Sequence, residues 1–134
     1  MTYARQLLAA YPGTVNADVG ILARALDALD ECAQACVADA DADLAEQNVT
    51  EMVRCIRLCL DCVDVCTAGI GVLSRQTDPD PAIIKPLLGT CVATCASCGD
   101  ECERHAQHHE HCRICLEACR RCELACRELL TAMN

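Results

Sequence analysis

The sequence predicts an all-α protein: an antiparallel four-helix bundle with a Cys-lined core and an additional short N-terminal helix. Three observations predict it. Apolar residues recur at steps of three and four along four long stretches, and no alternating or β-branched run reads as strand. Clusters of proline, glycine and aspartate separate those stretches by short connections, which favours antiparallel neighbours. The third observation is composition. Cysteine makes up 15 of 134 residues, against 2 Tyr and no Phe or Trp, so thiols must fill core volume that aromatics or leucine usually fill. The length suits one domain over residues 1–134 with a single core.

Each element carries its own signals. A short helix over about 2–11 ends at Pro12-Gly13. Asn16 or Asp18 caps a helix over about 16–38. Asp39-Ala40-Asp41-Ala42-Asp43 reads as a polar connector, with Asp43 the N-cap of a helix over about 43–74. Asp78-Pro79-Asp80-Pro81 stops that helix and starts the next, with Asp80 as cap and Pro81 in the first helical position. Pro86 and Gly89 should kink or delay this helix, which reaches about residue 105. The last helix covers about 109–132. Its Arg113–Glu117, Glu117–Arg121 and Glu123–Arg127 pairs, at i,i+4, belong to a solvated face.

Composition and charge exclude several functions. With 11 basic and 20 acidic residues, a formal net charge of -9 and no stacking aromatics, the chain has no footprint for nucleic acid. No apolar run of 18 or more residues predicts a membrane span. The N-terminal MTYARQLLAAYPG has no export or twin-arginine pattern, so the expected location is cytoplasmic. Thiols in that reducing compartment serve metals or redox chemistry more often than structural disulfides. Their odd number excludes complete internal pairing.

The cysteines fall on four stripes. The first long helix has Cys32 and Cys36. The second has Cys55, Cys59, Cys62 and Cys66, and the third has Cys91, Cys95, Cys98 and Cys102, both spaced C-x3-C-x2-C-x3-C. The fourth has Cys112, Cys115, Cys119, Cys122 and Cys126. Steps of three and four set every sulfur on one face of its helix, so all four helices aim thiols at one axis. Neighbours at i,i+3 and i,i+4, with Cβ atoms roughly 5–6 Å apart, chelate a soft ion after a rotamer adjustment. Disulfides fit that helical spacing poorly.

Soft thiolates at low coordination number select Cu(I). If each ion takes two sulfurs and each sulfur bridges two ions, the chain holds about 15 ions, a storage stoichiometry. Two other readings stay open on these residues: a thiolate buffer for Zn(II) or Cd(II), at about one ion per four sulfurs, and an iron–sulfur or redox protein. The C-x2-C-x2-C-x3-C-P run of a ferredoxin, a βαβ setting for C-x-x-C and the E-x-x-H pairs of a di-iron bundle are all absent. Asp39, Asp41 and Asp43 open like a calcium loop, but Leu44 and Thr50 stand where glycine and glutamate are required. No catalytic constellation emerges, and no enzyme activity is expected.

The stripes crowd toward one end of the bundle. Leu22, Leu26, Leu29, Ile70, Leu73, Ile83, Ile84, Leu87, Leu88, Leu129 and Leu130 are expected to plug the other. All four histidines, His105, His108, His109 and His111, lie at the cysteine-rich end, and Met52 precedes Cys55 by three. They are read as ligands lining a mouth for ions, with Asp61, beside Cys62, as a further candidate.

With these motifs in place, the chain resembles the bacterial copper storage proteins, cysteine-lined four-helix bundles, over nearly its whole length. The resemblance rests on the extra N-terminal helix, Cys32-x3-Cys36, the twice-repeated C-x3-C-x2-C-x3-C and the five-cysteine last helix. It implies a cytosolic member in which histidines take the place of methionines at the mouth, many bound Cu(I) ions, and a homotetramer. It names no partner for copper release.

Overall fold

Two aspartates start two of the long helices. In the computed structural model, which describes residues 2–134, Asp18 Oδ1 accepts the Ile21 N–H at 3.0 Å and Asp80 Oδ1 accepts the Ala82 N–H at 2.9 Å. Each satisfies an N–H that the first turn leaves without a partner. The elements are α1 (Ala4–Ala10), α2 (Val19–Leu44), a single 3-10 turn (Val49–Glu51), α3 (Val53–Ser74), α4 (Pro81–His105) and α5 (Glu110–Ala132), with no strand among the described residues. α2 packs on α3 and α5, and α4 packs on the same two, so the long helices form a square. α1 lies outside against α2 and buries Leu8.

The core is sulfur along most of its length. All fifteen cysteines are free and fully buried. The plug at the far end is built from Leu22, Leu26, Leu29, Leu73, Ile84, Leu88 and Leu129, with Ile70, Leu87 and Leu130 partly buried against it. Ile83 does not join them. It is 57% exposed, because the inward stripe of α4 runs through Ile84 and Leu88 and leaves position 83 turned away.

The sequence expectation needs correcting at three places. The polar connector at 39–43 does not exist: α2 continues to Leu44, and the break falls at 45–52. Asp39 and Asp43 follow Cys36 by three and seven, so they prolong the thiol stripe, and both are buried while Asp41 faces out. Asp43 therefore caps nothing. Pro86 does not delay α4, which is helical from Pro81 onward; its ring is on the exposed face near the helix start and only one backbone bond is lost. Finally, α4 is long and apolar enough, at mean hydropathy 1.4, to cross a membrane by length and composition. Its inward face is spent on the bundle core, where Ile84, Leu88, Cys91, Val92, Cys95, Cys98 and Cys102 are buried.

Candidate metal centre

Helical spacing brings the sulfurs together as a continuous web. Cys36 Sγ stands 3.6 Å from Cys115, and 3.9 Å from each of Cys32, Cys98 and Cys119. Cys59 lies 3.7 Å from Cys98, Cys32 lies 3.7 Å from Cys62, and Cys62 lies 3.8 Å from Cys66. Groups such as Cys32/Cys36/Cys62/Cys119, Cys36/Cys98/Cys115/Cys119 and Cys59/Cys98/Cys102/Cys115 hold their sulfurs within 4.8 Å of one another, and consecutive groups share members. A metal–sulfur bond of about 2.3 Å spans these separations, and sulfurs part to about 4.6 Å for linear coordination. The shared members are the bridging sulfurs such a web needs.

Thiols this close trade protons unequally. Hydrogen bonding to Cys122 holds the Cys66 pKa down to about 6, and bonding to Cys102 holds Cys98 at about 7. Their partners are pushed the other way: Cys95 rises through its bond to Cys122, and Cys36 through its bond to Cys115. A thiolate is thus supported by neighbouring S–H donors, which suits a web that exchanges protons for cations.

At one end the web becomes polar. Asp39 Oδ2 accepts from the thiols of Cys59 at 3.5 Å, Cys102 at 3.6 Å and Cys55 at 3.8 Å. Its Oδ1 meets His111 Nδ1 at 2.6 Å, while His111 Nε2 meets Glu46 Oε2 at 2.8 Å and Glu46 Oε2 meets His109 Nδ1 at 2.5 Å. Burial alone would lower the His111 pKa, but the bonds to Asp39 and Glu46 outweigh it and raise the pKa. Desolvation raises the Asp39 pKa against the His111 bond. His105 Nε2 is tied to the buried Glu101 at 2.9 Å, and Glu101 also receives Arg104 at 3.1 Å. The His105 and His109 ring centroids are 6.4 Å apart, and His109 and His111 5.5 Å, so three imidazoles line this end in a row.

The structure brings Cys32, Cys36, Cys55, Cys59, Cys62, Cys66, Cys91, Cys95, Cys98, Cys102, Cys112, Cys115, Cys119, Cys122 and Cys126 into one buried column. His105, His109 and His111 stand at one mouth of it, and Met52 is fully buried one turn before Cys55. Two candidates are not brought in: His108 is exposed on the turn, and Asp61 points along the surface to Arg57 at 3.0 Å. Sequence reasoning missed Asp39, Asp43, Glu46 and Glu101. The first two were legible as continuations of the α2 stripe, and Glu101 as the i,i+4 partner of His105; Glu46 becomes visible only once the helices are placed.

Comparison with known proteins agrees with this geometry. The profile described as Csp, copper storage protein, matches residues 20–131. An uncharacterized cysteine-rich protein, YhjQ of Bacillus subtilis (strain 168), is 33% identical over 104 residues, covering 78% of this chain and 91% of that one. The structure of the copper storage protein Ccsp from Streptomyces lividans, loaded with 10 copper equivalents, is similar with TM-score 0.95 and 49% identity, over 96% of this chain and 98% of that one. A second structure, of the cytosolic copper storage protein from Streptomyces lividans with five coppers, is similar with TM-score 0.85 and 51% identity, over 86% of this chain and 96% of that one.

Proposed function

The chain belongs to the copper storage protein family, and from that premise we propose that it sequesters many Cu(I) ions in the cytoplasm, on the thiolate web of its core. The observation that carries this reading is the complete burial of all fifteen thiols. Each Cu(I) that replaces one thiol proton leaves the charge of the core unchanged. A Zn(II) ion held by four thiolates leaves two net negative charges buried, an arrangement that burial penalises severely. Neutral exchange therefore favours a monovalent soft ion at about one per thiol. Storage of this kind limits free copper and keeps a supply. Exposed Val37, Leu44, Val53 and Leu60, paired at i,i+7 on α2 and α3, support the homotetramer that the family resemblance implies. Sedimentation at micromolar chain concentration should give four subunits, and a monomer would refute that assembly.

The deciding experiment is anaerobic titration of the reduced chain with Cu(I) against a chromophoric chelator, repeated with Zn(II). More than about ten Cu(I) per chain, with affinity rising with pH as thiol protons leave, is expected. Saturation at one or two ions would refute storage. The mouth we assign to His105, His109, His111 and Met52, with Asp39 behind them. Replacing the three histidines with alanine should slow loading about tenfold or more at unchanged capacity, and equal loading rates would refute the assignment. His108 and Asp61, which the sequence offered as ligands, have no part in this route.

A further inference from the structure

The end of the bundle opposite the histidines is hollowed by a cleft. There the starts of α2 and α4 meet the ends of α3 and α5 around a cleft of about 460 Å³. Its floor is apolar: Leu22, Leu73, Ile84 and Leu129, with Met133 at the side. Its rim carries two cations, Arg75 and Lys85. The volume falls in the range of small-molecule sites, roughly 300–1,000 Å³, and an apolar floor with a few polar groups at the edge is their usual lining.

The charges single this cleft out. The molecule has a formal net charge of -9, so acidic partners for its cations are plentiful. Among the described residues, every lysine and arginine except Arg5, Arg75 and Lys85 makes an ion pair. Two of those three line this one cleft. The acid beside them, Asp18, already accepts the Ile21 N–H as the α2 cap. We propose that the cleft binds a small amphipathic anion, a single unbranched alkyl chain with a carboxylate head. The chain covers Leu22, Leu73, Ile84 and Leu129, and the head sits between Arg75 and Lys85. Leu29, Leu88 and the floor residues separate this ligand from the thiol column, so binding is independent of copper.

The test is calorimetric titration of the copper-free, reduced chain with decanoate, with decan-1-ol as the uncharged comparison. One saturable site is expected, bound about tenfold more weakly by an R75Q/K85Q variant, with the alcohol weaker by a similar factor. A second variant, Met133→Trp, narrows the cleft without touching the cations and should also weaken binding. Copper capacity should be unchanged in both variants. Absence of a saturable site, equal binding by R75Q/K85Q, or equal binding of decan-1-ol would overturn the proposal. So would self-association of the chain that R75Q/K85Q abolishes, since the occupant would then be a second copy.

Discussion

A chain carrying C32A, C62A and C119A should lose about eight Cu(I) ions, not three, when loaded from the solvent at one ion per thiol. The reason lies in how the thiol web is joined. Among the described residues, the sulfur–sulfur hydrogen bonds linking Cys36, Cys59, Cys98 and Cys115 to Cys66 and Cys95 all run through Cys32, Cys62 and Cys119. Ions that pass from sulfur to sulfur must cross this waist. Beyond it lie Cys66, Cys91, Cys95, Cys122 and Cys126, sealed at the far end by the leucine plug. Those five thiolates stay in place in the variant but are stranded. The lost sulfurs cost about 1 kcal/mol of packing each, which a bundle with its own apolar plug tolerates. Far-UV circular dichroism should therefore remain helical. A loss of only three ions at an unaltered rate would refute relay through the waist and point to ions reaching the deep thiols by opening of the bundle.

The fold and the column were legible because one signal repeats. A thiol at every third or fourth position states both the helix and its buried face, and fifteen such positions on four helices leave no other packing. The polar end was harder to read. Asp39 and Asp43 obey the same spacing as Cys32 and Cys36, but their chemistry reads as connector, and the alternating Asp–Ala run conceals the stripe. Buried carboxylates break the rule that charge stays in water, and such departures concentrate where function is located. Glu46 was beyond sequence reasoning for another reason: it lies in the break after α2 and reaches His109 and His111 at the start of α5, a pairing that depends on which helix ends meet. Glu101 was legible, since its pairs with Arg104 and His105 fall at i,i+3 and i,i+4 on α4 and only Arg54 comes from another helix. His108 shows the converse: it has the right residue type, but its position on the turn leaves it exposed.

Asp43→Asn should stabilise the copper-free fold at high pH and slow copper loading. Asp43 is fully buried, its Oδ1 receives the Cys112 thiol at 3.7 Å, and its Oδ2 has no hydrogen-bond partner. Desolvation first, then the bond to Cys55 and the charge of Asp39, push its pKa up to about 8 from 3.8. The native state thus holds this proton more tightly than the unfolded chain. Below pH 4 the group is neutral in both states. Its stability contribution is lost as pH rises toward 8, where the native state carries a buried, unsatisfied charge. Asp39 and His111, with pKa values also raised, act in the same direction. Glu46, with its pKa lowered, acts oppositely but only in acid. Asparagine has the same shape without the charge. Wild type and variant should melt together below about pH 4, the gap should widen between pH 4 and pH 8, and it should level off above pH 8 at about 3 kcal/mol or more, several degrees in Tm. A gap independent of pH would refute the charge argument. Above pH 8, where Asp43 is ionised, the same charge is an asset at the mouth, because a cation entering before the thiol protons leave needs a negative potential near His111 and Cys112. Equal or faster loading by the stabilised variant above pH 8 would show that Asp43 costs stability without aiding uptake.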